Sequence, residues 1–125
     1  MAEVRALRNE TRGTVLAERV VTASSFWPRF RGLMLRASLE PGEGLWLPGT
    51  TSVHMSFMRF PIDCVFLGPD LDEGRRRVVD LRPSLAPWRG IVWWARGADG
   101  VVELAAGTLG RTSTEVGDEV AFGAP

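Results

Sequence analysis

His54-Met55-Ser56-Phe57-Met58-Arg59-Phe60-Pro61-Ile62-Asp63-Cys64-Val65-Phe66-Leu67 is two extended segments joined through a proline. In the first, Val53, Met55 and Phe57 alternate with Ser52, His54, Ser56 and Met58, the period of two that sends neighbouring side chains to opposite faces of a strand. Pro61 has no N–H to give a ladder and steers Phe60 away from helical backbone, so the run breaks there. It resumes with Ile62, Cys64 and Phe66 on one face and Asp63, Val65 and Leu67 on the other. A period of two on both sides of a proline excludes a helix through this stretch and makes it β.

Further short β-like segments lie outward in both directions: Glu3 to Arg8, Val15 to Thr22, Gly44 to Leu47, Arg77 to Leu81, Ile91 to Ala95, Val101 to Ala105 and Glu119 to Phe122, beside Thr51 to Phe57 and Ile62 to Leu67. Gly, Pro and charged residues separate them. Asn9 to Gly13 and Pro69 to Gly74 suit hairpin tips, and Ala98-Asp99-Gly100 supplies the Asp-Gly pair of a tight turn. One helix is expected, capped by Ser24 or Ser25 and carrying Phe26, Trp27, Phe30 and Leu33 on one face, over about residues 25–35. The expectation is therefore a mainly β chain, an antiparallel β-sandwich or barrel-like fold with one short helix near residues 25–35.

The chain has 125 residues, enough for one core, so residues 1–125 are expected to form a single domain. Hydrophobic residues make up 45% and charged residues 24%, which excludes disorder and collagen-like repeats. No apolar run approaches the roughly 20 residues of a spanning helix, so no membrane span is expected. The charged opening lacks the apolar core of a secretion signal, which points to the cytoplasm, or to export if the chain is a trimmed mature form. Fifteen arginines balance fifteen acidic residues, and the Arg75-Arg76-Arg77 triplet adjoins Asp70, Asp72 and Glu73, a solvated hairpin shoulder rather than a phosphate track. No nucleic-acid partner is expected.

A single cysteine and a single histidine exclude an intrachain disulfide and multi-cysteine metal ligation, and neither a metal nor a cofactor is expected. Gly-x-Ser-x-Gly, phosphate-loop and dinucleotide-binding patterns are absent. Chemistry then has one address. His54 lies on the more polar face of its segment and titrates near neutral pH, so it suits general acid–base work with Asp63 as its partner. Asp63 equally suits pinning a turn through backbone N–H groups, or holding Arg59 or Arg36. Cys64 shares a face with Ile62 and Phe66 and reads as a buried, inert thiol. Glu103 alternates with Val102 and Leu104 and needs an arginine partner if buried. Adjacent Trp93 and Trp94 must point to opposite faces, one to the core and one to a surface or pocket.

Arg31-Gly32-Leu33-Met34-Leu35-Arg36, Gly44-Leu45-Trp46, His54 to Leu67, Val101 to Thr108 and Gly117-Asp118-Glu119-Val120 resemble, in that order, the blocks of the bacterial and archaeal family called domain of unknown function 192. The resemblance runs over about residues 13–123. Its most specific part is Phe57-Met58-Arg59-Phe60-Pro61-Ile62-Asp63, where the family shows an aromatic, Met, a basic residue, a variable pair ending in Pro, an aliphatic and Asp. The valine or leucine that commonly follows is Cys64 here, which agrees with a core position. The resemblance implies a compact β-sandwich or barrel-like domain with a short helix, and it supplies no activity.

Three functions fit these residues. The first is a domain that binds a small molecule or peptide in a cleft bordered by Arg36, His54, Met58, Arg59 and Asp63, with Glu103 behind them. Arginine would orient an anionic group and Met58 would form an adaptable apolar wall. The second is a hydrolase- or isomerase-type enzyme with His54 and Asp63 as catalytic residues. The third is a structural or interaction module in which they only hold a turn.

Overall fold

The computed structural model describes residues 4–22, 39–51, 60–86 and 95–125, together with the strand backbone of 53–54 and 91–92. Seven strands close into a barrel: β1 (Val4–Asn9), β2 (Thr14–Thr22), β3 (Glu43–Pro48), β5 (Ile62–Leu67), β6 (Arg75–Leu85), β8 (Gly100–Ala105) and β9 (Glu119–Gly123). Around the ring the order is β1, β2, β3, β8, β5, β6, β9 and back to β1. Two short strands, β4 (Val53–His54) and β7 (Ile91–Val92), pair separately as an antiparallel ribbon. The described helix, α1 (Thr108–Thr112), follows β8.

All nine expected segments are strands in whole or in part, and the mainly β, barrel-like fold stands. The helix expected near residues 25–35 lies outside the described residues, as do Trp93, Trp94 and most of the segment Thr51 to Phe57. One pairing departs from the antiparallel expectation: β2 and β3 run parallel, Val20 opposite Gly44 and Val21 opposite Leu45. The chain between Thr22 and Glu43 is far longer than a hairpin, and only such a crossover can return the next strand in the same direction. Ala98-Asp99-Gly100 is likewise a corner rather than a hairpin turn. It joins the ribbon to the barrel, and the Asp99 N–H donates to Leu67 O at 2.7 Å.

β6 runs on through Pro83, past the expected end at Leu81. It pairs with β9 only over Arg75–Arg77 and with β5 from Val78 to Leu85. Beyond Arg77 its far side therefore has no strand partner among the described residues, and a proline there breaks no ladder. α1 has no apolar period to announce it. It is five residues long, starts from Gly107 at φ +95° and has no side-chain cap of its own, so tertiary contacts hold it rather than propensity.

Alternation along β5 and β8 builds two cores. Val65, Leu67, Val102 and Leu104 point into the barrel and pack with Leu7, Val20, Val120 and Leu109 of α1. Ile62, Cys64, Phe66 and Val101 point outward and are covered by Leu47, Phe60, Leu39 and Ala95. All six residues of each strand are buried as a result. Taking a side chain such as Phe66 out of water contributes on the order of 2–3 kcal/mol, so the outer layer is a second hydrophobic core. Among the described residues no helix is long and apolar enough to cross a membrane.

Candidate functional site

Asp63 is 1% exposed, and its carboxylate lies on the inner face of β5. Oδ1 accepts the Ser84 N–H at 2.8 Å and Oδ2 accepts the Leu109 N–H at 2.9 Å. The first donor exists because β6 bulges: Ile62 faces Leu85 while Cys64 faces Arg82, leaving Pro83 and Ser84 opposite Asp63, with Ser84 at φ +48°. The second belongs to the first turn of α1, whose N–H groups have no helical partner. A carboxylate in an apolar strand is tolerated here because backbone donors meet both of its oxygens.

Glu103 faces the other way. It sits across from Leu45 of β3 and Cys64 of β5, and Cys64 sits across from Arg82 of β6, so these four share one row on the outer face. Only 7% exposed, Glu103 is a carboxylate within the layer of Leu45, Leu47, Phe66 and Val101. At the edge of the row, Arg82 grips Oδ2 of Asp80 through Nε at 3.2 Å and a terminal nitrogen at 3.1 Å. Burial pushes the Cys64 thiol well above its usual range, and the charges of Glu103 and Asp63 push it further. A thiol kept protonated in this way is a poor nucleophile.

His54 is in β4, where its backbone pairs with Ile91 of β7; its side chain, with Arg36, Met58 and Arg59, lies outside the described residues. Both ends of the intervening segment are anchored nonetheless. On one side the Ala95 N–H, next to the ribbon, donates to Thr51 O at 2.9 Å and Ala95 packs in the outer layer. On the other, Phe60 is buried in that same layer. The candidate residues thus divide: Glu103 and the anchors of 55–59 belong to the outer layer, whereas the Asp63 carboxylate serves the barrel interior.

A polar cluster between the β1–β2 tip and the loop before β9 has no counterpart in the sequence reading. Asn9 Nδ2 donates to Asp118 Oδ2 at 2.9 Å and to Thr114 Oγ1 at 3.2 Å, Arg12 Nε donates to Asp118 Oδ2 at 3.0 Å, and the Glu115 N–H donates to the same oxygen at 2.9 Å. Burial raises the Asp118 carboxyl pKa, but the bonds from Arg12, Asn9 and Glu115 outweigh it and hold the value below the ordinary one. Its visible signals are the lone asparagine in a hairpin tip and the Gly117-Asp118 turn, which mark turns without showing that they meet.

The arginine triplet is also engaged. Arg75 lies 3.4 Å from Asp72 and 3.6 Å from Glu119. Arg76 donates to Gly68 O at 2.9 Å, pairs with Asp99 at 3.2 Å and stacks 5.0 Å over the Trp46 ring. Arg77 donates to Gly117 O at 3.0 Å.

The family model "Uncharacterized ACR", domain of unknown function 192, matches residues 7–122. A UPF0127 protein of Thermococcus sibiricus is 38% identical over 118 residues, covering 91% of this chain and 72% of its own length. A second, from Pyrococcus furiosus, is 39% identical over 118 residues and covers 90% of this chain and 93% of its own. Among solved structures, a Novosphingobium aromaticivorans protein of unknown function shares the fold at TM-score 0.70 with 23% identity, over 95% of this chain and 84% of that one. A Sinorhizobium meliloti protein put forward as a transcription regulator matches at TM-score 0.74 with 25% identity, over 97% and 92%. The sequence blocks, the closed barrel and these matches agree: the chain belongs to the family of domain of unknown function 192.

Proposed function

We propose that this chain is a binding domain for a small molecule or peptide, with its site where the segment carrying His54, Met58 and Arg59 meets the edge of the outer layer over β5 and β8, and with Arg36 bordering it. The observation that carries this is the Glu103 carboxylate, buried in an otherwise apolar layer. A carboxylate in such a place is stable only with polar or charged groups beside it, which makes this part of the layer a place where polar chemistry gathers. Glu103 recognises a donor or cationic group, the arginines take an anionic one, and Met58 supplies apolar contact. Asp63 supports this face from behind by fixing the start of β5.

Acid–base catalysis by His54 and Asp63 is the weaker alternative. Both Asp63 oxygens already accept backbone N–H groups, which favours a framework role over orientation of an imidazole. Contact with nucleic acid has less support still, since each arginine of the 75–77 triplet is tied to this chain's own acceptors.

A thermal-shift screen with charged metabolites and short peptides tests the proposal, run on the wild type and on Glu103→Gln. The expected result is a ligand that raises the wild-type melting temperature and shifts the folded variant less, by at least tenfold in affinity, about 1.4 kcal/mol. A ligand bound equally by both, or no ligand for the wild type, contradicts it.

A further inference from the structure

We infer that Asp63 is a latch that makes α1 and the β6 bulge a single opening unit at one end of the barrel. One carboxylate holds both: Oδ1 takes the N–H of Ser84, a non-glycine residue at φ +48°, and Oδ2 takes the N–H of Leu109. Neither end is well secured by its own sequence. Ser84 occupies backbone space that costs a serine energy and persists only where the surroundings enforce it. α1 is too short to persist alone, and Gly107 at its start offers no side-chain cap, so the carboxylate from β5 serves the first turn instead.

Release of one bond alone leaves a buried carboxylate short of a donor, so the half-released state is disfavoured against the closed state and against a fully open one in which water reaches both oxygens. The two elements therefore open together. When they do, Leu109 leaves the inner core and the barrel interior meets solvent at that end. The latch works on the inner face of β5 and does not depend on a ligand binding to the outer one.

Native-state amide hydrogen exchange on the whole chain, followed across low denaturant concentrations, tests this. In the wild type the Ser84 and Leu109 amides are expected to share one opening constant, larger than that of Val102 in the centre of β8. Gly107→Ala then loosens α1 alone: a Cβ there meets nothing within 4 Å, but the residue must stay at φ +95°. The variant is expected to raise exchange at both amides by the same factor, roughly five- to tenfold. The inference is overturned if Ser84 keeps its wild-type rate in the variant, if the two wild-type constants differ, or if both amides exchange only with Val102. Should Gly107→Ala not fold, the wild-type exchange decides by itself.

Discussion

Asp63 shows what a single carboxylate can do when its partners are backbone groups. Its donors lie 21 and 46 residues away, so it joins three stretches of chain at one point. In Asp63→Asn one oxygen becomes an NH2 group facing another donor in a buried site. The expected loss is about 2–4 kcal/mol of unfolding free energy, read from urea denaturation with an unchanged m-value; a loss under about 1 kcal/mol would show that the two bonds are dispensable. Asp118 makes a different prediction because its charge is the stabilised form. With its folded pKa below the unfolded value, its contribution is complete above about pH 4 and fades as pH falls through the lowered folded value. Wild type should therefore lose more stability than Asp118→Asn between pH 7 and pH 3. Equal losses would mean that the charge on Asp118 adds nothing to the folded state.

These residues also mark how far the chain can be read directly. Alternation placed Cys64 with Ile62 and Phe66, and the structure keeps it there, buried. The same alternation assigns Glu103 the opposite face from Val102 and Leu104, but not its depth, because burial of the outer face depends on Phe60, Leu39 and Ala95 arriving from elsewhere in the chain. Asp63 was legible as an anomaly in an apolar run. The bulge and helix that satisfy it were not, since neither Pro83-Ser84 nor Thr108 to Thr112 carries a local signal of its tertiary partner.

At the scale of elements, local periodicity located the strands, and departures occurred where neighbours overrode local preference. Pro83 reads as a strand end and is not one, because β6 has by then left β9. The parallel pairing of β2 with β3 is fixed by a long connection, not by anything within either strand. Close packing sets a further requirement at the start of β8. Gly100 faces the Trp46 indole, and a Cβ at that position would fall inside contact distance of the ring. The ring cannot easily retreat: Phe122 lies 5.2 Å from it centroid to centroid and Arg76 sits over it. Gly100→Ala should cost about 2–3 kcal/mol, measured as a lower urea midpoint. An unchanged midpoint would mean that Trp46 has room to move.

For the whole molecule, the proposed binding role divides two tasks between the cores on either side of β5 and β8. The interior, closed at one end by α1 and the Asp63 bonds, supplies stability. The outer layer combines apolar cover with Glu103 and receives both ends of the segment that carries His54, Met58 and Arg59. Enzymes and binding domains alike use such a division between a rigid frame and loops that carry function. Amide chemical-shift mapping of a ligand from the thermal-shift screen locates the binding face most directly. The account predicts that the perturbed amides cluster at Cys64, Phe66, Val101, Glu103 and residues 54–60. Perturbations confined to β1, β2 and β9, on the far side of the ring, would contradict it.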